Sequence, residues 1–234
     1  MSSSEIERIQ QVYQEYSAAN LGAILWSPEN MGNRAIVHER HTALQRLLST
    51  HGRLPLTEFR ILDAGCGSGD VLASLIEWGA LPQNLCGLEL LPQRAAAAHD
   101  RHPTLQIHQG NAASQAFADN SFDLVLFFTV FSSVLDESLR RRMAAETMRV
   151  LKPGGAVIWY DLRIPNPRNQ NTRPLSRKAI AELFPHLKQE LRMTTLLPPL
   201  ARRLGNLTAV MYPILNKFPL LRTHYLGLLL DDRS

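Results

Sequence analysis

The chain has 234 residues and a formal net charge of +4, and apolar residues make up 45% of it. That composition supports a packed core and excludes an intrinsically disordered chain. Its two cysteines, Cys66 and Cys86, form neither a disulfide framework nor a zinc-binding spacing, so we expect a reduced, cytoplasmic protein without a metal site.

The first 50 residues show helical periodicity and are divided by turn-forming residues at 27–33. We expect no signal peptide and no transmembrane segment, because residues 1–5 lack basic and apolar regions and no apolar run is long enough to span a membrane. The predicted helices, the second over 35–48, should lie across the top or edge of the following sheet. Tyr13 and Tyr16 are candidate substrate-binding residues, because packing in an apolar core does not require their hydroxyl groups.

A glycine-rich turn follows the first predicted strand. The apolar run ends at Leu62, glycines occur at 65, 67 and 69, and helical spacing resumes at Val71. Glycine lets a ligand approach the backbone closely, and a helix N-terminus presents free N–H groups. The segment 61–70 is therefore typical of a ligand-binding unit.

Strands and helices alternate after this turn, which predicts a doubly wound α/β sheet with its ligand outside the carboxyl ends of the strands. The predicted strands are 85–90, 105–108, 121–128, 156–160, 187–197 and 221–230. The predicted helices are 92–101, 136–150 and 176–184, with a helical insert over 198–219.

Glu89 ends the second predicted strand, about twenty residues beyond the last glycine, where a nucleotide fold binds the ribose diol. The glycines alternate with other residues, unlike the G-x-G-x-x-G spacing of an NAD-dependent dehydrogenase, which is one alternative. Asp63 and Asp70 flank the turn, and carboxylates suit a ligand with cationic groups better than a pyrophosphate. S-adenosylmethionine is such a ligand.

Five short motifs occur in order along the chain. They are Leu-Asp-Ala-Gly-Cys-Gly-Ser-Gly at 62–69, Glu89, Gly-Asn-Ala at 110–112, Phe-Asp-Leu-Val at 122–125 and Arg-Val-Leu-Lys-Pro-Gly-Gly at 149–155. Together they make residues 61 to about 160 resemble the class I S-adenosylmethionine-dependent methyltransferases, close to the ubiquinone/menaquinone-methyltransferase-like, or type 11, group. The resemblance implies a mostly parallel, Rossmann-like seven-stranded sheet whose last strand is antiparallel. N-terminal helices and the helical insert before the last strand would complete it.

The resemblance also implies roles for individual residues in binding S-adenosylmethionine. Carried over position by position, Asp63, Ala64, Gly65 and Gly67 would hold the methionine end, Glu89 would accept from both ribose hydroxyls, Leu90 would pack on adenine, Asn111 and Ala112 would meet the adenine edge, and Phe127 would line the methionine side.

Many relatives carry a histidine pair after the fourth strand, where this chain has Ser132 and Ser133. The candidate general bases are therefore elsewhere, at Asp161 and His224, and they matter only if the acceptor is a neutral hydroxyl. Arg163, Arg168 and Arg173 lie in or beside the loop after a strand and would suit an acceptor's carboxylate or phosphate.

Charge is unevenly distributed along the chain. From residue 161 onward the chain contains 12 Lys or Arg and 5 Asp or Glu. Residues 1–160 contain 13 Lys or Arg and 16 Asp or Glu. A basic C-terminal third suits an anionic substrate or membrane surface. The insert at 196–221 is then a lid over a hydrophobic substrate, a peripheral lipid contact or a plain packing extension. We expect one domain over 1–234, with a helical cap (1–52), a cofactor core (53–160) and a substrate side (161–234).

The sequence predicts methylation of an oxygen, nitrogen or carbon of a small molecule. A weak resemblance of residues 159–185 to methyltransferases of biosynthetic clusters favours a natural-product acceptor. The alternatives are a quinone or lipid acceptor and a non-catalytic nucleoside-binding protein. An RNA methyltransferase, and so a nucleic-acid partner, is disfavoured because no platform of aromatic and basic residues is evident. The oligomeric state is left open.

Overall fold

A seven-stranded mixed sheet forms the centre of the protein, whose computed structural model describes residues 2–232. The strands are β1 (Ile61–Ala64), β2 (Leu85–Glu89), β3 (Gln106–Gln109), β4 (Phe122–Phe128), β5 (Leu151–Leu162), β6 (Leu187–Leu196) and β7 (Arg222–Asp231). Their order is β3-β2-β1-β4-β5-β7-β6, and β7 runs antiparallel to both of its neighbours. The predicted fold is therefore confirmed, including its antiparallel last strand.

Helices flank this sheet, and three of them precede β1. The helices are α1 (Ser2–Ala18), α2 (Leu21–Leu25), α3 (Met31–Thr50), α4 (Asp70–Leu75), α5 (Pro92–Arg101), α6 (Glu137–Val150), α7 (Arg177–Leu183), α8 (Pro198–Arg203) and α9 (Thr208–Leu215). Helix α3 begins earlier than its apolar periodicity indicates, because the Asn30 side chain accepts from the backbone N–H groups of Gly32 and Asn33.

The N-terminal helices occupy two different places. Helix α3 packs on one face of the sheet, where Leu44 and Leu48 belong to the same buried cluster as Ile61 and Leu124. It is therefore a flanking layer and not a cap. Helix α1 contributes Ile9 to the cluster on the opposite face and extends over the carboxyl ends of the parallel strands. Only α1 takes the position expected for the whole segment.

The insert between β6 and β7 docks on α3. Gly32 makes this approach possible, because a Cβ there would lie 2.1 Å from the carbonyl oxygen of Ala201. Glu39 of α3 accepts from the Thr194 hydroxyl at 2.7 Å, the Tyr212 hydroxyl at 2.6 Å and the Asn216 amide at 2.7 Å. These bonds join α3, β6 and α9 into a seam, which we call the Glu39 seam.

None of the helices within residues 2–232 combines the length and apolarity needed to cross a bilayer.

Candidate functional site

The glycine-rich turn after β1 is tied to β2. The N–H groups of Gly65 and Cys66 both donate to the carbonyl oxygen of Leu88, at 2.7 and 3.1 Å. Gly65 has a φ of 94°, and a Cβ there would lie 2.6 Å from a methyl group of Val130. Only glycine accepts this backbone conformation and this crowding without strain. The turn is therefore held in place, and no side chain of Gly65 separates its backbone from the cavity.

A cavity lies at the carboxyl ends of β1, β2, β3 and β4, where a doubly wound sheet binds its ligands. Helix α1 covers it. The strand ends contribute polar and apolar groups, among them Gly65, Glu89, Leu90, Asn111, Ala112 and Phe128. Helices α1 and α6 contribute a mostly apolar wall that includes Ile6, Ile9, Tyr13, Leu139 and Met143. The cavity wall thus combines polar groups at the strand ends with mostly apolar side chains from α1 and α6.

Glu89 is the carboxylate in the cavity wall and is only 4% exposed. Its Oε2 accepts from the Gly67 N–H at 3.0 Å, and its Oε1 accepts from the Leu91 N–H at 3.1 Å. Because a carboxylate has about four lone-pair positions, these bonds fix its orientation and leave capacity for further donors. Vicinal hydroxyls are suitable donors for the remaining positions.

Asp63 lies at the end of β1 and is 1% exposed. Within residues 2–232 its Oδ1 has no hydrogen-bond partner. Burial, and then the neighbouring Glu89 charge, raises the pKa of Asp63 to about 7. A buried carboxyl of this kind is destabilising by itself, and a cationic ligand nearby would favour its ionised form. Asp63 is not itself among the residues that line the cavity, but unlike Asp70 it has an unpaired oxygen that a cationic ligand would stabilise.

Asp70, the other flanking acid, is engaged elsewhere. Its carboxylate lies 2.8 Å from the Arg101 guanidinium and 3.0 Å from the His102 ring. It is half-exposed, and its partners belong to the end of α5 and the residue after it. It therefore joins α4 to α5 and is not among the residues that line the cavity.

Asn111 presents an amide to the cavity. Its Oδ1 accepts from the Ala113 N–H at 2.9 Å, which directs Nδ2 to serve as the donor for a ligand. Leu90 and Ala112 line the cavity beside it. Ala64 and Gly67 are buried behind the turn and support it without lining the cavity. The structure therefore brings Gly65, Glu89, Leu90, Asn111 and Ala112 together as the sequence predicts.

Phe127 requires a correction by one residue. Its side chain is fully buried, and its ring lies 4.8 Å from that of Phe131 in the core. Phe128 lines the cavity instead. Side chains alternate between the two faces of a strand, so a shift of one position moves the ring to the other face. The apolar run from Phe122 to Phe128 contains no alternation that could reveal which ring faces the ligand.

Asp161 does not lie at the cavity. It is fully buried on β5, where its carboxylate accepts from the backbone N–H groups of Ser132 at 3.0 Å and Leu162 at 2.7 Å. Burial raises the pKa of this carboxyl. Its position corrects the prediction of a general base, because both oxygens hold the backbone at the end of β5 and after β4. Asp161 is a positioning residue for the loop that carries Ser133.

His224 is likewise outside the cavity wall. Its ring stacks on that of Tyr160, with centroids 4.7 Å apart, and its Nδ1 lies 2.8 Å from the Thr223 hydroxyl. Burial and the positive charge of Arg40 lower the pKa of His224 to about 3. The imidazole is therefore neutral near pH 7 and packed between strands, which corrects its assignment as a base.

The three candidate substrate arginines are not at the cavity either. Arg163 donates to the carbonyl oxygen of Arg222 and fastens the start of β7. The side chains of Arg168 and Arg173 are exposed. None of them lines the cavity, so the geometry does not support an anion-binding role there. Their position after a strand predicts that these arginines lie near the edge of the sheet. It does not predict the direction of their side chains.

Tyr13 and Tyr16, unlike these arginines, each line a cleft. Tyr13 lines the cavity, its hydroxyl lies 3.5 Å from the Ser133 hydroxyl, and the Arg94 guanidinium lies 4.6 Å from its ring centre. Tyr16 lies in a smaller adjoining cleft and donates to the Asn169 side chain at 3.2 Å. The two clefts share Tyr13 and Ser133, so they are neighbours across α1.

Several cavity residues were not found by sequence reasoning. Thr129 has a φ of 57°, which is rare for a threonine. No sequence pattern predicts this conformation or its place in the cavity wall. Arg94 lies across the turn, 4.0 Å from Glu89. Ile6 and Ile9 of α1 recur at helical spacing, which predicts an apolar helix face. Such a face usually packs against a core, so the spacing does not identify it as a cavity wall. Within residues 2–232, no three His, Cys, Asp or Glu side chains are grouped to hold a metal ion.

Comparison with known proteins agrees with this geometry. Residues 62–159 match a family described as a methyltransferase domain. A demethylmenaquinone methyltransferase of Chlorobaculum parvum is 37% identical over 112 residues, which are 47% of this chain and 44% of that protein. A phthiotriol/phenolphthiotriol dimycocerosates methyltransferase of Mycobacterium ulcerans is 33% identical over 128 residues, 54% of this chain and 45% of that protein. The chain thus spans less than half the length of these two curated relatives.

Solved structures share the fold at low sequence identity. A protein from Pyrococcus horikoshii superposes with a TM-score of 0.64 at 15% identity, over 93% of this chain and 98% of its own. An S-adenosylmethionine-dependent methyltransferase from Mesorhizobium loti gives a TM-score of 0.61 at 17% identity, over 81% of this chain and 96% of its own. Residues 62–159 thus match a methyltransferase-domain family, and the whole sheet has the fold of an S-adenosylmethionine-dependent methyltransferase.

Proposed function

We propose that the protein transfers a methyl group from S-adenosylmethionine to an apolar, lipid-class small molecule. The observation that carries this proposal is the composition of the cavity wall. Glu89 and Asn111 at the strand ends suit a nucleoside, and the side chains from α1 and α6 are mostly apolar. A wholly polar acceptor would lose its hydration against such walls without matching hydrogen bonds.

The residues present fit S-adenosylmethionine, which when bound supplies an electrophilic methyl group on a sulfonium. Glu89 is fixed by two backbone N–H groups and has lone pairs left for the ribose hydroxyls. The unpaired, buried Oδ1 of Asp63 suits the cationic methionine end. A side chain at Gly65 or Gly67 would meet Val130 or Arg94 within 2.7 Å. The bare turn therefore leaves its backbone available to a ligand.

The chain's contribution to methyl transfer is alignment and exclusion of water. The two candidate bases are packed away from the cavity, and the hydroxyls of Tyr13, Thr129 and Ser133 lie at its wall. Holding an acceptor in line with the methyl donor supplies a large part of the rate enhancement without proton transfer. An acceptor that ionises easily, or a carbon activated by its own ring, suits a site of this kind.

The smaller cleft beside Tyr13 supports an acceptor path under α1. It is formed by α1 and the loop after β5, including Asn171 and Thr172, and it adjoins the main cavity at Ile9, Tyr13 and Ser133. The names of the relatives favour the same acceptor class, since they specify demethylmenaquinone and phthiotriol dimycocerosates. The natural-product acceptor favoured by the sequence stays a prediction, and no contact described above favours it.

The test is turnover on matched acceptors. The purified protein is incubated with methyl-labelled S-adenosylmethionine and either prenylated naphthoquinols or water-soluble hydroxyl and amine compounds, and S-adenosylhomocysteine is measured. We expect product only with the apolar acceptors, and none from the Glu89→Gln variant at the same cofactor concentration. Turnover restricted to the water-soluble set would overturn the acceptor class. Cofactor binding without turnover on either set would favour the non-catalytic alternative.

A further inference from the structure

Helix α9 of the insert has an apolar side facing solvent. Residues 208–215 contain no charged side chain. Its inner face carries Thr208 and Tyr212, which are buried, and Tyr212 bonds to Glu39 in the Glu39 seam. Surface helices of soluble proteins normally expose their polar face. Helix α9 is therefore apolar on both sides, because Tyr212 and Leu215 pack against the cluster that contains Ile36, while Val210 and Ile214 face solvent.

Six large apolar side chains of the insert are exposed, and we call them the insert patch. They are Leu197, Leu207, Val210, Ile214, Phe218 and Leu220. The exposed fractions are 63% at Leu207, 62% at Val210, 56% at Phe218 and 88% at Leu220. The middle four members recur every three or four residues, so they follow one side of α9 and its extensions. A grouping of this kind marks an interaction site, whereas isolated exposed leucines do not.

The C-terminus of α2, which also exposes apolar side chains, lies beside α8 of the insert. Ile24, Leu25 and Trp26 are 65%, 44% and 48% exposed. Arg202 of α8 lies 4.6 Å from the Trp26 ring centre, which joins α2 to the insert. Its Nε donates to Asn33 at 3.0 Å, and Asn33 donates to the carbonyl oxygen of Leu25. The two apolar segments are thus held together by one buried amide and one arginine.

The charge carried by the insert itself is of one sign, whereas the exposed Glu29 follows the end of α2. Residues 191–230 contain five Lys or Arg and no Asp or Glu. Arg203 and Lys217 are exposed and lie next to the patch in sequence. A second copy of the chain packed through the same patch would bring these charges together, which disfavours a symmetric dimer. An apolar helix face flanked by Lys and Arg is instead the composition that inserts into the headgroup region of an anionic bilayer.

We propose that the insert patch, together with the end of α2, docks the protein on the surface of anionic phospholipid membranes. The apolar side chains enter the boundary between headgroups and acyl chains, while Arg203 and Lys217 contact lipid phosphates. The proposal does not rest on the acceptor assigned above. Vesicle binding is measured without cofactor or acceptor, so a failure of methyl transfer leaves it unaffected and the two failures are distinguishable.

The probe is vesicle sedimentation, with phosphatidylcholine alone or mixed with phosphatidylglycerol. We expect binding to the mixed vesicles, weak binding to phosphatidylcholine, and weaker binding at high salt. The Phe218→Ser, Leu220→Ser double variant should bind about tenfold less or weaker still. Ile76→Ser, at another exposed isoleucine outside the patch, is the control and should bind like the wild type.

Charge reversal provides the second arm. Arg203→Glu with Lys217→Glu should reduce binding to mixed vesicles by about tenfold or more. The control, Lys178→Glu with Lys188→Glu, changes net charge equally at exposed sites on α7 and at the opposite end of β6. Thermal melting confirms that each variant is folded. Equal losses in patch and control variants, no binding of the wild type to mixed vesicles, or a dimer that the patch substitutions dissociate would each overturn the proposal.

Discussion

Two carboxylates in different regions of the protein differ in how many of their hydrogen bonds are made. Glu39 in the Glu39 seam accepts hydrogen bonds from three side chains of β6, α9 and the residue after α9, all within 2.7 Å. Asp63 at the end of β1 is 1% exposed, and its Oδ1 has no partner within residues 2–232. The hydrogen bonds of Glu39 hold the insert on α3. The unpaired oxygen of Asp63 could instead be stabilised by a positively charged ligand. The two acids therefore differ both in burial, since Glu39 is only partly buried, and in how many of their hydrogen bonds are made.

The largest effect is expected at Glu89. Glu89→Ala should weaken S-adenosylmethionine binding by about ten- to a thousandfold, because two charge-assisted hydrogen bonds to the ribose would be lost. Calorimetric titration measures the affinity. Since Glu89 also accepts from the N–H groups of Gly67 and Leu91, Glu89→Gln is a matched variant that retains an acceptor oxygen. Unchanged affinity in both folded variants would remove Glu89 from the site.

Glu39→Ala tests the other side of the comparison. It leaves the donors on Thr194, Tyr212 and Asn216 without their acceptor, so we expect a loss of about 2–3 kcal/mol of unfolding free energy. Urea denaturation measures this loss. Cofactor affinity should stay within about threefold of the wild type at temperatures where the variant is folded. A large loss of affinity with unchanged stability would show that the seam belongs to the site.

Asp63→Asn should move stability and affinity in opposite directions. The pKa of Asp63 is raised to about 7 in the folded protein, so stability of the ligand-free protein is lost as pH rises from about 4 through 7. The amide removes this penalty, and we expect stabilisation of up to about 4 kcal/mol at pH 8 and little change at pH 4. Cofactor affinity should fall, most clearly above pH 7. A variant less stable than the wild type at pH 8 would contradict this account.

The smallest effect is expected at His224. Its pKa is lowered to about 3, so the imidazole stays neutral between pH 5 and 8 and contributes no step to the pH dependence of turnover there. The unfolded-state pKa is about 6.5, so this residue makes the fold less stable as pH falls from there towards 3. His224→Asn should change the turnover rate less than about threefold. A loss of a hundredfold with normal cofactor binding would restore His224 as a base.

The glycine-rich turn and the polar strand ends that line the cavity could be located from the sequence because their signals are local. The turn at 62–69 needs glycines for its conformation, and Glu89 and Asn111 each end or follow a strand. Parallel strands then bring these positions to one edge of the sheet without further information. The seven-stranded sheet and its antiparallel last strand came with the family resemblance, and the structure agrees with both.

The remainder depends on contacts between distant segments. Phe127 and Phe128 differ only in which face of β4 they occupy, and a continuous apolar run does not encode that choice. Asp161 follows a strand like a catalytic acid, but the backbone of Ser132, 29 residues earlier, occupies it. The position of α1 over the cavity depends on contacts of its own residues with Ser133 and Asn169, which no local pattern reveals.

Titration of the ligand-free protein with S-adenosylmethionine, and separately with NAD, tests the central claim most directly. We expect single-site binding of S-adenosylmethionine that is weakened in Glu89→Gln, and no heat of binding with NAD. Binding of NAD together with silence towards S-adenosylmethionine would contradict the assignment of the cavity.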